Sequence, residues 1–186
     1  MEPQLELASS RLILKSITPA LIDEFYRSKT KDEIMNYFGY DEAAYEQFKN
    51  KHEKGMETHS ISMFFFLLLD KQSNLPIGEC GFHTWNSQHR RAELFYGLRN
   101  DIDMQKGIMT EALELVLKHG FTELNLHRVK ALVADYNVAS VKLLKRFNFV
   151  KEGTAREDYV VNGKNEDSDC YSLLKWEWEN GRVDKD

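Results

Sequence analysis

The chain has 186 residues, 42% hydrophobic and 30% charged, with a net charge of −5 at neutral pH. That length suits one domain over residues 1–186 with a real hydrophobic core, and the negative balance argues against broad non-specific nucleic-acid binding, which depends on basic surface. The first residues are acidic and no apolar run follows them, residues 63–69 are too short an apolar run to span a bilayer, and Cys80 and Cys170 are too few for a disulfide framework, so no leader and no membrane span are expected and cytoplasm is the default.

Residues 5–16 read as a strand in which Leu12 and Leu14 alternate with Arg11, Ile13 and Lys15. Thr18-Pro19 then opens a helix, with Thr as cap and Pro at the first helical position; Leu21, Ile22, Phe25 and Tyr26 form its apolar face. Asp41 can cap a second helix carrying Ala44, Tyr45 and Phe48, and Gly55 can end it. Lys49, Lys51 and Lys54 mark its solvated face. Residues 61–69, 75–85 and 91–98 read as a three-strand meander, with a turn at 70–74. Within it Phe64, Phe65 and Phe66 are read as central-strand core.

The next segment is the most informative. A short polar run ends at Gly107, and a helix follows to about Gly120, with Ile108, Ala112, Leu115, Val116 and His119 on one face. Gly107 lets another group approach the backbone closely. The first amides of such a helix have no internal partner and sit at its positive end, which suits a phosphate. An ordinary loop-to-helix junction would look the same. A strand over 127–134 follows, with Val129, Ala131 and Val133 on one face, and then Asn137 leads a helix through Val141, Leu144 and Phe147. Strands near 150–161 and 169–178 flank the hairpin signal Asn162-Gly163. The order is strand, two helices, three strands, helix, strand, helix, two strands, an α/β arrangement with helices on the faces of a mixed sheet.

This order and four motifs resemble the GCN5-related N-acetyltransferases (GNAT), and within them the RimJ/RimL-like ribosomal-protein N-terminal acetyltransferases. The motifs are residues 91–96 (RAELFY), 107–113 (GIMTEAL), 137–140 (NVAS) and 147–157 (FNFVKEGTARE). The resemblance implies a mostly antiparallel, splayed central sheet with helices on both faces, and acetyl-CoA as cosubstrate. It implies that the amides of Gln105, Lys106, Gly107, Ile108, Met109 and Thr110 hold the pyrophosphate. Phe95, Tyr96, Gly97 and Leu98 would pair with the pantetheine arm, and Asn137 would contact it, although Asn137 also suits a plain helix cap. Met104 and Met109 depart from the family pattern. Leu144 stands where many relatives carry a proton-donating Tyr, and Ser140 matches the Ser of the RimL-like branch; a Ser in a first helical turn also commonly bonds backbone amides.

Acetyl transfer to an amine needs a base for the amine proton, a donor for the oxyanion and a route for the leaving thiolate. It needs no covalent enzyme intermediate when both substrates share one cleft. Glu93 is the candidate base, with a strand carboxylate paired to Arg90 or Arg91 as the plain alternative; Glu157 is the second candidate. His83 and Trp85 lie near the acceptor end of their strand but read more simply as core aromatics. Cys80 and His83 lack a second ligand pair, so no metal is expected. The implied acceptor is a primary amine, with the N-terminal α-amine of a protein, such as a ribosomal protein, placed first. A small amine (a polyamine, an amino acid or an aminoglycoside-like compound) is the alternative within the enzyme class. A catalytically silent acyl-CoA sensor is the alternative outside it, suggested by Met109 and Leu144. Relatives suggest a homodimer.

Overall fold

The structure is a computed structural model and describes residues 4–58, 60–100, 103 and 106–183, with side chains through 181. Among these residues the chain forms β1 (Glu6–Ala8), β2 (Leu12–Ile17), α1 (Pro19–Ser28), α2 (Lys31–Phe38), α3 (Glu42–Glu53), β3 (Ser62–Asp70), β4 (Pro76–Asn86), β5 (Arg91–Leu98), α4 (Ile108–Thr122), β6 (Arg128–Val133), α5 (Val138–Arg146), β7 (Val150–Val161), β8 (Lys164–Leu174) and α6 (Lys175–Val183). The strands make one sheet in the order β1-β2-β3-β4-β5-β6-β8-β7. Every pairing is antiparallel except β5 with β6. None of the described helices is long and apolar enough to cross a membrane.

Strand periodicity explains the two layers of core. Side chains alternate across a strand, so Phe66 and Leu68 of β3 pack under α4 with Cys80, Phe82 and Leu94. Phe65, Leu67 and Leu69 of the same strand face Ile22 of α1, Ile34 and Phe38 of α2, and Phe48 of α3. The apolar run of β3 is thus buried on both faces, as a central strand requires. The stripe that α4 buries is Ile108, Ala112, Leu113, Val116, Leu117, Gly120 and Phe121, while Leu115 and His119 lie at its margin.

Several elements differ from the sequence reading. The strand expected over 5–16 is two strands joined by a turn at Ser9-Ser10-Arg11, where the Leu12 amide is 3.1 Å from Ser9 Oγ. The predicted periodicity survives: Leu12 and Leu14 are buried under α4, and Ile13 packs on the other face. A helix that the apolar spacing does not predict, α2, starts from a capping box. The Glu33 amide donates to Thr30 Oγ1 at 3.3 Å, and the Thr30 amide donates to Glu33 Oε2 at 2.8 Å. Gly39, at φ 67°, ends it. The strand expected to reach 178 stops at Leu174, because the Glu177 carboxylate takes the Leu174 amide at 2.8 Å and starts α6. The predicted caps hold: Thr18 accepts from the Leu21 amide at 3.3 Å, and Asp41 from the Ala44 amide at 2.8 Å.

Candidate active site

The site begins where the sheet opens. β5 and β6 pair through three positions, Arg91 with Arg128, Ala92 with Val129 and Glu93 with Lys130. β5 continues to Leu98 and β6 to Val133 without further pairing to each other. The sheet is therefore splayed, and a cleft of about 480 Å³ lies in the gap. Glu93, Phe95, Tyr96, Asn137 and Ser140 all line it, which brings together both expected catalytic residues and three of the expected cofactor contacts. Gly97 and Leu98 extend the same strand beyond the cleft lining, with open space where a Cβ on Gly97 would sit. Asn137 does cap α5, accepting from the Ser140 amide at 3.2 Å.

At the other end of α5 lies the loop before α4. Gly107 has φ 76° and no side chain caps the helix. The early amides of Ile108, Met109 and Thr110 thus belong to an uncapped positive end. Of the remaining predicted loop contacts, Lys106 is described, while Gln105 and neighbouring Met104 lie outside the described residues. Met109 packs against the core, which takes its bulk into the interior. Leu144 is also in the core, 1% exposed, and has no path to a reacting group.

Two cations missed by the sequence reading frame this loop. Arg146 of α5 donates to Thr110 Oγ1 at 3.2 Å. Arg11, in the β1–β2 turn, donates from Nη1 to the Lys106 carbonyl at 2.9 Å. The backbone amide and Nε of Arg11 reach Glu111 at 2.8 and 2.7 Å, and Ser10 Oγ donates to the same carboxylate at 2.8 Å. Desolvation works to raise the Glu111 pKa, but donors from Ser9, Arg11 and Ser10 together outweigh it and hold the carboxyl down at about 2. No local pattern announces these contacts, which join residues about 100 apart in sequence for Arg11 and 36 apart for Arg146.

The opposite wall carries titratable groups. Glu93, 18% exposed, meets Lys130 Nζ at 3.0 Å and His83 Nε2 at 3.4 Å. The plain alternative for Glu93 named Arg90 or Arg91; Arg90 instead binds the carbonyl and side-chain oxygen of Asn125, each at 3.0 Å. Burial holds the His83 imidazole below its ordinary pKa; Glu93 opposes this, and Lys51 and Lys130 reinforce it. Burial also raises the Tyr96 phenol, against the opposing contact of Ser140. Glu157, the second candidate base, is not in the cleft lining. Its amide is held by Asp167 at 2.8 Å and its carboxylate accepts from Asn165 at 3.3 Å. Its neighbours Asp158 and Tyr159 do face the cleft, and the Tyr159 hydroxyl lies 3.4 Å from that of Tyr136. Cys80 is fully buried and its thiol is pushed up by desolvation, so it is no nucleophile.

The residues fit a long phosphate-bearing thioester. An uncapped helix start flanked by arginines can take the phosphates, an unpaired strand edge can take an amide-containing arm, and the cleft can hold the acyl end.

Comparison with known proteins agrees with this geometry. A family model for the GNAT acetyltransferase domain matches residues 11–150. The uncharacterized N-acetyltransferase YoaA of Bacillus subtilis is 30% identical over 179 residues, 91% of this chain and 96% of that protein. The uncharacterized N-acetyltransferase p20 of Bacillus licheniformis is 37% identical over 113 residues, 61% of this chain and 63% of that protein, so this match spans less than two thirds of its length. The fold matches the ribosomal-protein-S5-alanine acetyltransferase of Vibrio fischeri, with TM-score 0.67, 22% identity and coverage of 94% and 98% of the two chains. It also matches the spermidine/spermine N-acetyltransferase SpeG of Vibrio cholerae, with TM-score 0.69, 24% identity and coverage of 94% and 99%.

Proposed function

The chain belongs to the GNAT acetyltransferase family, and from that premise we propose that it acts as a single catalytic domain moving an acetyl group from acetyl-CoA to the N-terminal α-amine of a protein. The observations that carry this reading are the cleft at the parting of β5 and β6 and the uncapped, cation-flanked start of α4. When bound, acetyl-CoA supplies an acyl carbon activated as a thioester.

In this reading the amides of Gln105, Lys106, Gly107, Ile108, Met109 and Thr110 hold the pyrophosphate. The strand edge Phe95, Tyr96, Gly97 and Leu98 aligns the arm, and Asn137 steadies it. A backbone amide on that edge faces the developing oxyanion; one such donor is worth about 3–4 kcal/mol in other acyl-transfer sites. Ser140 offers a proton where the thiol departs. Glu93 belongs to the proton-accepting wall. An α-amine has a pKa of about 7.7–8.0, against about 10.4 for lysine, so it needs only a modest base.

Charge does not choose the acceptor: the carboxylates lining the cleft, Glu93 and Asp158, suit any cationic amine, and Lys130 is paired with Glu93. The α-amine is placed first because its lower pKa asks least of the base. A ribosomal protein's N-terminus is one acceptor of the favoured kind. A second reading, acetylation of a polyamine, is favoured by Asp158 in the cleft lining and by Asp135 and Glu166 beside Tyr159. The test is thiol release from acetyl-CoA with peptides starting in Ala or Ser, with their N-terminally blocked forms, and with spermidine. Release with free peptides alone supports the first reading. Release with spermidine alone supports the second, and no release with any acceptor refutes acetyl transfer to either class.

A further inference from the structure

We infer that the imidazole of His83 takes the proton from the acceptor amine, with Glu93 positioning the ring. The inference rests on the acetyl-transfer reading and names the proton acceptor within it.

The first argument is backbone geometry. β4 is irregular just past His83. Its pairing with β5 runs Phe82 to Leu94 and His83 to Glu93, then jumps to Asn86 with Arg91. Against β3 it runs Phe64 to Phe82 and then Ser62 to Trp85. The residue at the break, Thr84, has φ 47°. A β-branched residue rarely adopts that conformation, and it costs about 1–2 kcal/mol. Bulges re-aim side chains and strain collects at functional sites.

The bulge has a visible effect. In a regular strand His83 and Trp85 would share a face. Here Trp85 packs into the core under α4 with Cys80 and Phe82, whereas the His83 ring lies 5.7 Å from that of Phe95 on the opposite face. His83 keeps the face that its regular pairing with Glu93 sets, is 40% exposed and lines the cleft, while the bulge beyond it turns Trp85 to the core.

The second argument is partner accounting. Glu93 Oε2 is engaged by Lys130 at 3.0 Å and Oε1 by His83 Nε2 at 3.4 Å. His83 Nδ1 lies 3.2 Å from Thr84 Oγ1. With Nε2 carrying the proton toward Glu93, the lone pair is at Nδ1, beside a hydroxyl rather than a charge. The charged groups around the ring are Glu93 from β5, Lys130 from β6 and Lys51 from α3. Burial and the two lysines outweigh Glu93, so the ring is neutral at pH 7 and able to accept.

The step balances with water as the only further proton carrier. The amine nitrogen forms the N–C bond, the C–S bond breaks with its electron pair on sulfur, the N–H proton passes to His83, and Ser140 gives its hydroxyl proton to sulfur and takes one back from water. The exposed ring then returns its proton to water.

The experiment uses the full chain and an α-amine peptide accepted by the wild type. kcat/KM is measured against pH for wild type, His83→Gln and Glu93→Gln, alongside the NMR titration of the His83 ring and CoA binding by calorimetry. The wild-type kcat/KM should fall first as the acceptor amine protonates at about 7.7–8.0, and again along a second acid limb at the pH where the His83 ring titrates, below its ordinary range. His83→Gln should keep CoA affinity, lose about 10²–10⁴ in kcat and lose that acid limb. Glu93→Gln removes the attraction that favours the charged ring, so the ring titration and the acid limb should move to lower pH together. An unchanged profile in His83→Gln, or an acid limb that does not follow the ring, overturns the assignment while leaving acetyl transfer intact. A wild type that turns over no acceptor overturns the underlying reading and the assignment with it.

Discussion

Substitution Glu111→Gln tests how the start of α4, the proposed phosphate site, is held. Glu111 sits in the first turn of α4 and receives the Arg11 guanidinium, the Arg11 amide and Ser10. Its carboxyl falls from an ordinary 4.5 to about 2, a difference worth about 3 kcal/mol at about 1.4 kcal/mol per unit. The Arg11 side chain is 45% exposed, so solvent screening reduces the realised amount to about 1–2 kcal/mol. The sign follows from linkage. A carboxyl depressed in the folded state contributes fully above its unfolded value and loses that contribution as pH falls through the folded value. The stability gap between wild type and Glu111→Gln, measured by urea denaturation, should therefore be about 1–2 kcal/mol at pH 7, shrink below about pH 5 and close near pH 2. Because Arg11 also holds the Lys106 carbonyl, the variant should bind CoA more weakly as well. A gap that stays constant from neutral pH to pH 3 would refute the argument that charge, rather than shape, makes this clamp.

Three other substitutions probe the site. Gly107→Val places a β-branched residue at φ 76°; losing one or two charge-assisted amide contacts, each worth about 1.5–3 kcal/mol, should weaken CoA binding at least tenfold by calorimetry, and an unchanged Kd would move the phosphate site elsewhere. Arg146→Ala removes the guanidinium beside Thr110 and should reduce both CoA affinity and its salt dependence; a Kd equal to that of the wild type at both low and high salt would exclude a phosphate role. Thr84→Gly relieves the positive φ at the β4 bulge and should raise stability by about 0.5–1 kcal/mol, the strain relieved less the entropy of the added glycine, while slowing turnover as His83 loses its fixed aim; a destabilised variant would contradict the strain.

What could be read from the chain alone was local. The continuous apolar run from Phe64 to Leu69, the Thr18 and Asp41 caps and the polar run ending at Gly107 are signals carried by neighbours in sequence, and they placed most of the elements. The Thr30–Glu33 capping box was equally local, but α2 spans only eight residues and its apolar spacing was too brief to announce it. Phe95, Tyr96, Asn137 and Ser140 could be named because their motifs resemble those of the family, and with Glu93 each lies along one strand edge or one helix start, where the element delivers its side chains together.

Partnership was decided by tertiary structure. Glu93 faces His83 because β4 and β5 pair in one register, and it meets Lys130 because β6 lies alongside for only three positions before twist and lost pairing part the strands. His83 reads as a core aromatic by pattern, yet register with Glu93 puts it in the cleft lining, while a bulge just beyond it turns Trp85 to the core. Arg11 reaches α4 because a turn within the first predicted strand folds it back there. Periodicity reports which face of its own element a side chain occupies. Register, bulges and the meeting of distant elements depend on contacts between segments far apart in the chain, and those exist only once the sheet has assembled.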